Sequence, residues 1–170
     1  YESYPYWKNT FDKMNIFNLD MYDKIVYLDS DMYINNNIDE LFQYPHMTGV
    51  IAGNGIVPEW DGLNSGMMVI EPKRGLSEDI LKKARNHNFN KDIGDQDLIE
   101  YYYDWKHKNL SISENYNMFA DYIDYYINYL NYNPNEIKII HFIGAVKPWM
   151  LSKEDLEEMK QNKKEKEETY

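Results

Sequence analysis

Two acids are the most chemically suggestive residues in this chain. Asp29 and Asp31 close the stretch Lys24-Ile25-Val26-Tyr27-Leu28-Asp29-Ser30-Asp31. No basic residue adjoins the pair, so two carboxylates this close would repel and raise each other's pKa. A divalent cation relieves that conflict, and hard carboxylate oxygens suit Mg²⁺ or Mn²⁺. Asp-x-Asp alone is short enough to be an ordinary solvated turn. The run before it argues for more. Ile25 to Leu28 is apolar, rich in β-branched and aromatic residues, and about the length of a buried strand. Ligands collect beyond the carboxyl ends of such strands. Strand alternation would point both acids the same way.

Other groups with chemical capacity stand at element ends. His141 ends the apolar stretch 137–142, and Gly144 and Lys147-Pro148-Trp149 follow it. A lone histidine there is more often structural, and Lys147 suits a phosphate or simply water. Asn64-Ser65-Gly66 is a polar turn feeding an apolar strand, where Gly66 permits close approach of backbone or ligand. Gly94-Asp95-Gln96 opens a helix, with Asp95 a natural N-cap and Gln96 an ordinary first-turn residue. Lys13 sits off the apolar face of an early helix and reads locally as a surface lysine.

The elements that must position these groups alternate between strand and helix. Strand-like runs occupy 25–28, 49–53, 63–70, 110–113 and 137–142. Helical patterns cover about 10–17, 38–42, 77–88 (capped by Ser77), 95–103 and 118–130. Segments 34–37 and 54–62 read as loops, and Asn115-Tyr116-Asn117 as a turn. This order predicts an α/β fold with a mixed, mainly parallel sheet flanked by helices. Residues 1–151 form one unit, and 152–170 are a charged helix or tail.

Composition narrows the function further. Hydrophobic residues make up 43% of the 170, which indicates a globular chain with a core. The net charge is −11 and the only arginines are Arg74 and Arg85, so no basic surface exists for a nucleic-acid partner. There is no cysteine, hence no disulfide and no thiolate metal site, which permits a cytoplasmic location. No apolar run reaches the roughly 20 residues of a membrane span. An oligomer is left open.

Taken together, the lysine on a helix, strand into Asp-x-Asp, Asn-Ser-Gly into strand, Gly-Asp-Gln into helix, and His141-Phe142-Ile143-Gly144-Ala145-Val146-Lys147-Pro148-Trp149 resemble the retaining glycosyltransferases of family 8 from about Thr10 to Trp149. The last motif is the most specific. The resemblance implies a Rossmann-like, GT-A type fold. It also implies transfer of a hexose from a nucleotide-diphosphate sugar, UDP-glucose or UDP-galactose, to a hydroxyl of a carbohydrate or protein acceptor. In that family pattern Asp29, Asp31 and His141 match the ligands of Mn²⁺, with Mg²⁺ the alternative. Gly144 and Lys147 match diphosphate contacts, and Lys13 a lysine near the nucleotide-sugar. Asn64 and Ser65 match the turn beside the donor sugar. Asp95 and Gln96 match the pair below the anomeric carbon and toward the acceptor. The departure is that only 28 residues precede Asp29. The family's first strands and uridine-binding loop are therefore expected outside this span. A catalytically inactive sugar-binding or interaction module on the same scaffold is the alternative.

Overall fold

The structure, a computed structural model, describes residues 9–85 and 94–167. A 3₁₀ segment, Asn9–Asn18, comes first and buries Met14 and Phe17 on one side. Then follow β1 (Ile25–Leu28), β2 (Met32–Ile34), a 3₁₀ turn at Asp39–Gln43, β3 (Gly49–Val50) and β4 (Asn64–Ile70). Helices α1 (Leu76–Arg85) and α2 (Asp95–Tyr103) lead to β5 (Ser111–Ile112) and β6 (Met118–Phe119). Helix α3 (Ile123–Asn128), β7 (Ile139–His141) and α4 (Lys153–Glu167) complete the chain.

The strands form two sheets, β1-β4-β3-β5 and β2-β7-β6. The mixed α/β class is as expected, but parallel pairing does not dominate. Among the described residues β1·β4, β3·β4 and β2·β7 run antiparallel, while β3·β5 and β6·β7 run parallel. A parallel neighbour needs a long crossover, usually helical. Here β3 returns to β4 through the 51–63 loop with no helix between.

The strand β4 is the axis of the molecule. Its apolar residues are buried on both faces, and period-two alternation divides them. Met68 and Ile70 face a core with Met14, Phe17, Ile80, Leu98 and Trp105 under the helices. Met67 and Val69 face a second core with Leu41, Met118, Phe119, Tyr126 and Ile139 between the sheets. By contrast β1, read from sequence as buried, is half-buried along its whole length. It stands at the edge of its sheet, with β4 its only described neighbour.

Several local expectations change. Ser77 does not cap α1, which starts one residue earlier, after Gly75 at φ +83°. The Ser77 N–H instead donates to the Asn18 side chain at 3.0 Å, tying α1 to the first 3₁₀ segment. The expected helix over 118–130 is divided into β6, a 3₁₀ turn and a short α3, because Met118 and Phe119 pair with β7. Thr10, by type a natural N-cap for the 10–17 helical pattern, has a side chain outside those described, and residues 86–88 of the α1 pattern lie outside the described residues. No helix among the described residues is long and apolar enough to cross a membrane.

Candidate active site

Asp29, Ser30 and Asp31 form a turn between β1 and β2, with the Met32 N–H donating to the Asp29 carbonyl at 3.2 Å. The pair therefore does not extend a strand, as its alternation suggested; it spans the seam between the two sheets. On one side the Asp29 N–H donates to the Gly66 carbonyl of β4 at 2.8 Å. On the other, Phe142 N–H donates to the Asp31 carbonyl at 2.9 Å, continuing the β2·β7 register that sets Met32 opposite His141. That register delivers the imidazole to the acids. One oxygen each from Asp29 and Asp31 and one ring nitrogen of His141 lie within 4.8 Å of one another.

The protonation of His141 follows from its neighbours. The Gly66 backbone N–H can only donate, and it meets Asn64 Oδ1 at 3.0 Å. Asn64 Oδ1 also accepts from Asn117 Nδ2 at 2.9 Å, so Asn117 turns its oxygen to His141 Nδ1, 2.9 Å away. Nδ1 thus carries the proton and Nε2 presents a lone pair. That lone pair faces Asp31 Oδ1 at 3.2 Å. Burial pushes the imidazole pKa below its usual range despite the pull of Asp31 and Asp29. Two electron-rich atoms face each other across a gap that a cation suits. With two carboxylates and one imidazole as donors, the set fits Mn²⁺, and Mg²⁺ less well.

The other charges are already paired. Burial pushes the Asp31 carboxyl up, but the Lys147 hydrogen bond and charge outweigh it, and the pKa falls. Lys147 Nζ lies 2.9 Å from Asp31 Oδ2 and also donates to the Phe142 carbonyl. Lys13 is no surface lysine. Its Nζ sits between Asp29 (3.1 Å) and the buried Asp95 (2.8 Å), and within 3.2 Å of Ser65 Oγ. Ser65 Oγ donates to Asp95 at 2.8 Å, and its N–H donates to Gln96 Oε1 at 3.1 Å. Tyr27 donates to Asp29 Oδ1 at 2.7 Å; burial, then that bond, drives its phenol pKa up, so it stays a donor.

Nine of the ten residues singled out in the sequence line one cleft of about 850 Å³. Gly144 does not. It packs beside Asp121, whose Oδ2 would lie 2.9 Å from an added Cβ. Gly66 is tighter still, since a Cβ there would come within 2.7 Å of His141 Cε1. Sequence reasoning missed Tyr27 and Asn117. Tyr27 looked like strand filler, although its place two residues before an acid was a usable signal. Asn117, fully buried, looked like a turn residue, and nothing local set it apart.

Asn117→Ala should leave the His141 ring untethered. Weakening of Mn²⁺ binding by about 10–100-fold is expected, the usual cost of removing the partner of a ligand histidine. Titration calorimetry, with the imidazole ¹⁵N shifts of the metal-free protein as a separate report on the tautomer, checks this.

Comparison with known proteins places the chain in context. The sequence profile described as Glycosyl transferase family 8 matches residues 2–152. A putative UDP-glucuronate:xylan alpha-glucuronosyltransferase 5 of Arabidopsis thaliana is 35% identical over 149 residues, 86% of this chain and 24% of that protein. Glycogenin-1 of Caenorhabditis elegans is 36% identical over 148 residues, 82% of this chain and 32% of that protein. Among solved structures, the glycosyltransferase GlyE of Streptococcus pneumoniae TIGR4 superposes with a TM-score of 0.60 at 24% identity, covering 82% of this chain and 38% of that one. The chain thus spans a quarter to a third of the length of these curated relatives.

Proposed function

Since the chain belongs to glycosyl transferase family 8 and has a GT-A-type fold, we propose that its cleft is the donor half of a metal-dependent, retaining hexosyltransferase active site. The donor is a UDP-sugar, with UDP-glucose or UDP-galactose the first choices, and the acceptor is a hydroxyl. In this reading residues 1–151 are part of the catalytic domain, and 152–170 an appended charged helix or tail. The observation that carries the proposal is the meeting of Asp29, Asp31 and His141 within 4.8 Å, beside Lys147.

A divalent ion held by those three side chains would supply Lewis-acid stabilisation of charge on the departing diphosphate. Lys147 adds a cation beside the same oxygens. Asn64 and Ser65 border the donor sugar, and the Gly66 backbone lets the turn lie close to His141. The acceptor oxygen bonds to the anomeric carbon as the carbon–oxygen bond to the diphosphate breaks. The bonding pair leaves with the phosphate oxygen, and the acceptor's proton passes to that oxygen. Asp95 is the sole motif carboxylate near the sugar, but its Oδ2 is held by Lys13 and Ser65 at 2.8 Å each. A carboxylate so paired is a poor nucleophile, which favours front-face attack over a covalent glycosyl-enzyme.

The test is hydrolysis and transfer assays of the full-length protein with UDP-glucose and UDP-galactose. Turnover is expected with Mn²⁺, abolished by EDTA and restored by added Mn²⁺. No Mn²⁺-dependent turnover of either donor would refute the reading.

A further inference from the structure

A second cavity, of about 480 Å³, opens beside the cleft. Asn64, Gln96, Asp97 and Ile143 line both, so the two spaces adjoin. The volume is within the range of small-molecule sites. Two features of its wall are unusual.

The first is Trp60, a large aromatic left 41% exposed. Its indole is not loose. It packs edge-on to Phe119, with centroids 5.8 Å apart and planes at 70°. It also lies so close to the backbone at Gly53 that a Cβ there would come within 2.5 Å of the ring. Gly53 adopts φ +81°, where glycine is favoured, so the chain bends to let the indole in. An aromatic held by packing and facing an open cavity offers an electron-rich surface. The weakly positive C–H face of a sugar ring matches it.

The second is Glu100. Its Oε1 is buried and has no hydrogen-bond partner among the described residues. The nearest cation, Lys106 Nζ, is 4.0 Å away and is engaged with Asp61 at 2.6 Å. Burial pushes the Glu100 carboxyl pKa up. A buried acceptor without a donor is costly, and a ligand hydroxyl would satisfy it. The charge balance selects among ligands. Glu59, Asp61, Asp97 and Glu100 line the cavity against one lysine, which disfavours phosphate or carboxylate.

We propose that this cavity is the acceptor subsite and takes a neutral carbohydrate, with a sugar ring on Trp60 and a hydroxyl donated to Glu100. An adjoining hydroxyl then passes Gln96 into the donor cleft. The assignment deepens the transferase reading and rests on it, so the experiment separates the two.

The full-length protein is assayed with Mn²⁺ and UDP-glucose or UDP-galactose. Acceptors are neutral tetrasaccharides (maltotetraose, cellotetraose, xylotetraose), an oligogalacturonate and a chitosan tetramer. Transfer to a neutral member is expected. Trp60→Ala should raise the acceptor KM at least tenfold with the donor KM unmoved, and Trp60→Phe should recover most of the loss. Glu100→Ala should raise the acceptor KM in the same direction, giving a second reading should Trp60→Ala fail to fold. An acceptor KM unchanged in either folded alanine variant, transfer to none of the neutral acceptors, or preference for the charged oligomers overturns the assignment. Wild-type protein that hydrolyses neither donor overturns the transferase reading and the subsite with it.

Discussion

Asp31→Asn is expected to lower Mn²⁺-dependent turnover of the donor by about 10³-fold. Lewis-acid stabilisation of a leaving phosphate is worth several kcal/mol, and each 1.36 kcal/mol is tenfold in rate. Asp31 contributes at three points: one oxygen near His141, the other on Lys147, and a carbonyl accepting from Phe142. Asparagine keeps the backbone bond and the shape but loses the charge that would hold the cation. The melting temperature should therefore change little while Mn²⁺ affinity collapses. Steady-state kinetics and Mn²⁺ titration check this; turnover near wild type would sink the ligand assignment. The pH dependence has a definite sign. A proton would compete with the proposed cation for His141 Nε2, and burial depresses the imidazole pKa below 6.5. Binding should hold above 6.5 and weaken only as pH falls below it. The same depression makes the histidine's stability contribution present above 6.5 and lost on acidification.

Lys13→Met should cost about 3–5 kcal/mol of folding stability, the usual effect of breaking a buried ion pair by removing one partner. The side chains of Lys13 and Asp95 are 11% and 8% exposed, and their 2.8 Å contact has little solvent screening. Methionine keeps the aliphatic stem and leaves Asp95 charged and uncompensated. Asp95→Asn in the same protein removes that charge while keeping an acceptor for Ser65, so the double variant should regain more than half of the loss. Urea unfolding of the four proteins in the cycle measures the coupling. A single-variant cost below about 1 kcal/mol would mean the pair is far more solvated than its geometry indicates.

The readability of the site varied with the range of the interaction that defines each part. Short apolar runs ending in polar groups marked β1, β4 and β7 correctly, because strand formation at those places follows from local composition. Ser77 misled because a cap preference is weaker than the tertiary bond to Asn18 that claimed its N–H. The 118–130 helix was overestimated because its apolar spacing also suits a strand start, and pairing with β7 decided the first two residues. Lys13 resembled a surface residue because its partners, Asp95 and Ser65, are distant in sequence; Ser65 is 52 positions away.

By itself the sequence determined the inventory: two acids after an apolar run, a histidine at a strand end, a lysine beyond it, and a glycine where bulk is forbidden. It also determined the net charge of −11. Only the tertiary structure decided which of these meet. The antiparallel register of β2 on β7 brings His141 to Asp31, and it brings Lys147 to the same carboxylate from 116 positions away. The parallel pairing of β6 with β7 brings Asn117, the residue before β6, to the imidazole it fixes. Side-chain patterns specify local conformation and the buried face, whereas register between strands this far apart is set by how two cores close around β4.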